Sequence, residues 1–454
     1  MPFMDEEYLL ETEAAKRLYD EINELPIIDP HSHVDVEELA TNDGWADIWE
    51  VEGATDHYVW ALMRKRGVPE ERITGDASNR EKWTALAEVF PEFAGNPTYE
   101  WVHLDLKRRF GIDTPISAET ADEIWTETKA QLQEPEMRPQ ALLREMNVSV
   151  VSSTDDPTDD LEHHQRLGEA LDDITVRPTW RPDTAMGIDD GDWSDYVEML
   201  GDATEIDTSD LDGFLNALRT SHEYFEERGC GASDHGLRRA VTKPVAHRRA
   251  ADIFDRGLAG ERLSSADVTD FKAYLLDRIG EWNSETEWVT QFHVGPVRDY
   301  RDSLAEEIGA DAGGDISTQD VDLAENLRYF LNRFDGDLEI VLYAVDPTHY
   351  PTLTTIARAF PNVSVGAAWW FNDSPYGMED QLAYTGSVDL LSNYAGMVSD
   401  SRKLMSFDSR FEMFRRSLAN TVGRMVDRGQ MPEDVATDLV HRVAYERPKE
   451  LWNV

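Results

Sequence analysis

Cysteine is almost absent from this 454-residue chain: Cys230 is the only one. That excludes an intramolecular disulfide and any zinc site of the CxxC type. Long apolar runs are missing too. No stretch approaches the ~18 consecutive apolar residues of a membrane-spanning helix, and the N-terminal MPFMDEEYLLETEAAKRLYDEI lacks the apolar core of a secretion signal. Positive charge is scarce: 43 Lys and Arg stand against 91 Asp and Glu, a net charge of −48, and only nine of the 43 are lysine. A field this negative argues against nucleic acid and anionic membranes as partners. A soluble cytoplasmic protein is the expectation. The acids are spread along the whole chain rather than gathered in a tail. That distribution, with lysine depleted, suits a salt-rich cytoplasm, where a Debye length of roughly 3 Å at 1 M screens self-repulsion.

Apolar residues make up 41% of the chain and include 13 tryptophans, enough for a substantial packed core. The length suits one large domain with an insertion, or two to three domains. Residues 5–24 read as a helix, followed by the strand-like LPIIDPHSHV. Strand-like runs then recur at 148–157, 174–183, 231–241, 288–299, 338–347, 363–373 and 393–402, each leading into a polar loop. Helical stretches such as 158–171, 318–334 and 405–428 lie between most of them. Strands alternating with helices imply βαβ units and a parallel sheet. Eight strands make a distorted (β/α)₈ barrel the natural α/β closure, with its chemistry at the C-terminal ends of the strands. The barrel is assigned to 1–36 and 146–454, and the mostly helical 37–145 to an insertion after the first strand.

His31 and His33 end the first apolar run. Residues i and i+2 of a strand share a face, so both imidazoles can enter one cavity. They also suit an ordinary strand end satisfied by backbone or water. Asp400 and Arg402, again at i and i+2, end the last strand in MVSDSR. First and last strands are neighbours in a barrel, which brings Asp400 beside the histidines. Two imidazoles and a carboxylate form a plausible site for zinc or a similar divalent ion, with positions left open for water or substrate. His57 and Tyr58 sit at the entry of a helix, where a surface His and a core Tyr are equally natural. Arg181 follows a strand in TWRPD, and a structural ion pair with Asp183 is its plainer role. His293 lies within an apolar strand, where a satisfied core histidine is the default. Trp369 and Trp370 end another strand, as a core aromatic pair or a sugar-facing platform.

LPIIDPHSHVD, DHYVWALMRKRGVPEERITGDASNREKW, GNPTYEWVHLDLKRRFGI, STDDP, WRPD, SDHG, QFHVGPVRD, WWFND and GMVSDSR together resemble the uronate isomerase (glucuronate/galacturonate isomerase) family of the amidohydrolase superfamily. The resemblance runs in order from about residue 20 to the end. It implies the metal-dependent-hydrolase type of barrel and reversible aldose–ketose isomerisation of D-glucuronate to D-fructuronate and of D-galacturonate to D-tagaturonate. It also implies metal ligands at His31, His33 and Asp400, with zinc the usual metal. Arg402, His57 and Tyr58 are then expected around the substrate carboxylate and reacting carbons, and Arg181, His293, Trp369 and Trp370 along the pocket. Proton transfer falls to Tyr58 and Asp400, with Arg181 as the cation that would make Tyr58 basic and His57 beside them. The partners expected are a small hexuronate and further copies of the chain in a homo-oligomer. Two positions depart from the family pattern: Ser32 where a Cys often separates the histidines, and the RDY of 298–300 where an Asn pair is common. Both bear on substrate preference rather than reaction class. The rival reading is a metal-dependent hydrolase of an amide or lactone, which often needs a carboxylated lysine; Lys243 and Lys272 sit poorly for that.

Overall fold

The computed structural model describes residues 3–454. Seven short strands form two parallel sheets, one of β1 (Ile27–Asp29), β2 (Val148–Ser152) and β3 (Thr175–Arg177) in that order. The other holds β4 (Ala232–Leu237), β5 (Val289–Val294), β6 (Ile340–Ala344) and β7 (Val363–Val365). Every residue of β1, β5, β6 and β7 is buried. Strands covered on both faces are read as continuous apolar runs, which is why these segments stand out in the sequence.

Single bridges join the two sheets into a ring. Trp180, just past β3, takes a bond from its own N–H to the Ala232 carbonyl (3.2 Å) and accepts one from Asp234 N–H (3.0 Å). On the other side the 393–402 segment donates from Ala395 to Val365 (2.9 Å), and Asp400 N–H bonds the His31 carbonyl (3.2 Å). His33 N–H returns a bond to Ser401 (3.0 Å). The expected eighth strand is therefore a seam of isolated bonds without a ladder. Positive φ at Gly396 and Asp400 (94° and 49°) breaks its pleat and prevents regular pairing. A buried carboxylate reinforces the seam: Asp29 accepts from Ser399 N–H (3.0 Å) and from the Ser399 hydroxyl.

The first helix is shorter than the sequence suggested, spanning Glu13–Ile22 with Thr12 as its N-cap. Residues 5–12 form turns, and Leu9, at φ 62°, cannot continue a right-handed helix. The helix lies so close to Ser406–Asp427 that a Cβ at Gly423 would come within 2.6 Å of the Ala15 nitrogen. Seven α-helices lie between β1 and β2, from Val36–Thr41 to Pro139–Glu145, around buried Trp49, Trp83, Trp101 and Phe90. One of them, Pro97–Phe110, is tied to Ser406–Asp427 by a two-point Arg108–Glu412 pair (2.7 and 2.6 Å). Among the described residues no helix is long and apolar enough to cross a membrane.

Candidate functional site

Because all the strands run parallel, their C-terminal ends open on one face. His31 and His33 leave β1 there and meet Asp400 at the seam. His31 Nε2 lies 3.2 Å and His33 Nε2 3.3 Å from the same oxygen, Asp400 Oδ1. Ligands about 2.0–2.1 Å from a tetrahedral ion sit about 3.3 Å from each other, so this spacing fits a shared cation. The second oxygen of Asp400 is fixed by Trp369 Nε1–H at 2.8 Å. Burial works against a charge on Asp400, but the two histidines outweigh it and hold its carboxyl well below the ordinary carboxylate range.

A second buried group shares His31. Asp234, in β4, accepts from His293 Nδ1 at 2.6 Å, and its other oxygen lies 3.8 Å from His31 Nδ1 and 3.3 Å from Arg181 Nη1. Arg181 also pairs with Asp183 at 2.9 Å, the structural pair its sequence allowed. Burial pushes the His293 imidazole down to about 4, so it is neutral at pH 7. It stacks on Tyr343 at 4.2 Å, as a core histidine would, yet its Nε2 has no hydrogen-bond partner. His31 Nδ1 and Asp234 Oδ2 are also buried without a hydrogen-bond partner. The sets His31/His33/Asp400 and His31/Asp234/His293 each bring their ligand atoms within 4.8 Å of one another. Unpartnered imidazole nitrogens beside carboxylates fit a divalent cation.

His57 and Tyr58 face this group from the helix His57–Lys65, whose N-cap Asp56 accepts from Tyr58 N–H at 2.8 Å. The two rings stack at 4.8 Å, and His57 meets Trp370 edge-on at 5.7 Å. Tyr58 Oη donates to Asp373 Oδ2 (3.0 Å), which also pairs with Arg410 Nη1 (3.1 Å). The cation facing Tyr58 is thus Arg410, 5.8 Å above its ring, whereas Arg181 is engaged by Asp183 and Asp234. Burial, with Asp373 beside it, raises the Tyr58 phenol well above its usual range. At the rim Arg402 pairs with Asp311 (3.0 Å), and Arg298 lies 4.7 Å from the Trp370 ring.

The sequence reading assigned no role to Asp234, Asp373, Arg410, Asp29 or Lys403. Asp234 and Asp373 lie inside SDHG and WWFND, so a carboxylate within a strand-end motif was the available signal. Arg410 lies within the helix Ser406–Asp427, where no local pattern separates it from surface arginines. Lys403 is buried, with Nζ 3.0 Å from both Glu52 and Asp56. Lys243 and Lys272 pair with Asp270 and Asp189, away from the histidines.

The ring, its parallel strands and a mouth of imidazoles and carboxylates define an α/β-barrel enzyme built around a candidate metal centre. The glucuronate isomerase family model matches residues 1–452, and the chain belongs to that family, whose reaction is an aldose–ketose isomerisation. It is 58% identical over 450 residues to the uronate isomerase of Thermotoga maritima, covering 99% of both chains. The crystal structure of a uronate isomerase from that organism superposes with a TM-score of 0.98 over 99% of each chain. A glucuronate isomerase structure from Caulobacter crescentus, 27% identical, gives 0.96 over 99% of this chain and 97% of the other. A metal-dependent hydrolase fold from Lactobacillus casei, 15% identical, still superposes at 0.56 over 96% of this chain and 97% of the other. That last likeness extends the barrel architecture beyond the isomerases.

Proposed function

We propose that this chain interconverts D-glucuronate with D-fructuronate and D-galacturonate with D-tagaturonate by moving a proton between C2 and C1 of the opened sugar. The observation carrying this is the convergence of His31, His33 and Asp400 opposite the His57–Tyr58 pair. His31, His33 and Asp400 would hold the metal, with zinc favoured by two imidazoles and a carboxylate. Bound there, it would polarise a sugar oxygen and stabilise the developing oxyanion.

The chain's own residues divide the remaining work. Arg402 retains free N–H donors after pairing with Asp311 and receives the sugar carboxylate, a group that its planar fork can bind at two points. His57, neutral because burial lowers its affinity for a proton, donates to or accepts from the sugar oxygens. Tyr58 and Asp400 are the candidates for the carbon-bound proton. Arg181 and His293 line the floor, and the indoles of Trp369 and Trp370 wall the pocket and exclude water. The helical 37–145 segment acts as a subdomain whose purpose is to present His57 and Tyr58 to the barrel.

The test is ketose formation from each uronate in multimolar KCl with Zn²⁺ supplied. Absence of product from both sugars would remove the isomerase reading. The net charge of −48 supports a salt-rich cytoplasm as the working environment, and a homo-oligomer is the expected assembly. Dialysis to low salt should then lower the melting temperature, as repulsion loses its screening. Equal melting temperatures across the salt range would refute that adaptation.

A further inference from the structure

Tyr58 poses a chemical problem that the isomerase reading leaves open. A phenol with an unperturbed pKa near 10 is a poor base at neutral pH, and burial beside a carboxylate makes its anion rarer still. The hydrogen bonding around it suggests how the difficulty is met. Tyr58 Oη spends its proton on Asp373 Oδ2 at 3.0 Å, so only its lone pairs can face an incoming group. An oxygen in that position can receive a proton on one side while releasing its own on the other.

We propose that Tyr58 and Asp373 form a two-proton relay in which Asp373 is the final acceptor of the proton taken from the sugar. The proposal rests on the isomerase reading. In the forward step the C2–H bond breaks and its electron pair becomes the C1–C2 double bond, while the C1 carbonyl π pair moves to O1. The released proton binds Tyr58 Oη as the phenolic proton crosses to Asp373 Oδ2, so no free tyrosinate forms and Asp373 becomes a neutral carboxyl. In the return step Asp373 gives its proton back to Oη, and Tyr58 delivers one to C1. The hydroxyl proton of O2 passes to O1 with C2 becoming the carbonyl. Aldose and ketose then contain the same atoms, and no oxidant or reductant is needed.

The surroundings suit a reversible acceptor. Asp373 is 4% exposed, and burial raises its proton affinity above that of an ordinary carboxylate despite the neighbouring guanidinium. Arg410 is the positioning residue. Its Nη1 holds Asp373 Oδ2 at 3.1 Å and the Ser399 carbonyl at 3.2 Å, and its guanidinium packs 3.9 Å from the Trp101 ring. The acceptor is thereby tied to the segment that carries Asp400.

The test uses the full chain with glucuronate and follows kcat, KM and the C2-deuterium isotope effect for Asp373→Asn, Tyr58→Phe and the double variant. Each single change should lower kcat by about 10²-fold or more with KM within about 3-fold, and the double variant should lose no more than the worse single. Groups that act as a unit are non-additive in this way. Asp373→Glu should recover part of the rate. The isotope effect should rise in Asp373→Asn as carbon deprotonation becomes slower.

A kcat within about 3-fold of wild type in Asp373→Asn, or losses that multiply in the double variant, would overturn the relay. Should Asp373→Asn fail to fold, a proton inventory on the wild type in mixed H₂O and D₂O decides. A bowed plot supports two protons in flight; a linear one overturns the proposal. An inactive wild type would remove the isomerase reading and the relay with it, whereas an active wild type with an indifferent Asp373→Asn removes the relay alone.

Discussion

Replacing Lys403 by methionine keeps the length of the side chain and deletes the one ammonium shared by Glu52 and Asp56. All three residues are at most 5% exposed, and Asp105, 1% exposed, completes the cluster. Burial disfavours the Lys403 charge, but the three carboxylates outweigh it and hold the ammonium protonated. Breaking a buried pair by removing one partner costs about 3–5 kcal/mol, because the remaining charge is left uncompensated. An unfolding entropy of about 2.1 cal/mol/K per residue, taken over 454 residues, is about 1 kcal/mol/K. The melting temperature should therefore fall by about 3–5 °C in a scanning calorimeter. Activity should suffer more than stability. Asp56 caps the helix that carries His57 and Tyr58, and a displacement of about 1 Å in a reacting group can cost about 10²-fold in rate. Adding Glu52→Gln to Lys403→Met should restore part of the lost stability by removing an unpaired carboxylate. A Lys403→Met protein as stable as wild type, with no gain from Glu52→Gln, would refute this account.

Three further outcomes follow from the same geometry. Trp369→Phe removes the N–H that fixes Asp400 Oδ2 at 2.8 Å, and should weaken metal binding by about 10–100-fold, read by chelator competition. Arg402→Lys loses the two-point fork and should lower kcat/KM for uronates by about 10–100-fold, the range expected for a charge-assisted hydrogen bond. Stability should decline as pH rises from about 6.5 to 8. Burial raises Asp29 and Asp155 to about 7 and Glu52 to about 8, so their contribution is complete below their unfolded pKa and is lost as pH rises through those values. Burial lowers His103, His164 and His222 to about 4, so theirs is lost only as pH falls below about 6.5 and cannot offset the alkaline decline. At about 1.4 kcal/mol per unit the window holds about 3 kcal/mol, and a melting temperature that rises across it would contradict the assignment.

The parallel strands and the HxH pair were legible because burial on both faces leaves continuous apolar runs and because a period of two is visible in sequence. Asp400 was reachable through the closure of the ring, although the segment around it pairs by single bonds and not as a strand. The internal charges were not legible in the same way. Lys403, Arg410 and Asp234 are expensive to bury alone and acceptable only with partners from distant segments. Glu52, for instance, lies 351 positions from Lys403. A one-dimensional pattern records a residue type but not the partner that makes its burial possible. His293 shows the overlap: the core histidine read from its strand is present in its stack on Tyr343, and the same ring leaves one nitrogen free beside His31.

The seam of the ring has a consequence for local opening. The bonds that join 393–402 to β1, from Asp400 N–H to His31 and from His33 N–H to Ser401, are made by the same three residues that offer donors to the cation. Parting the seam separates those donors, so a bound ion opposes that motion by its own binding free energy. Amide hydrogens of His33 and Asp400 should then exchange more slowly as metal is added, while those of β5 and β6 stay unchanged. Occupancy of the site would act as the clasp of the barrel.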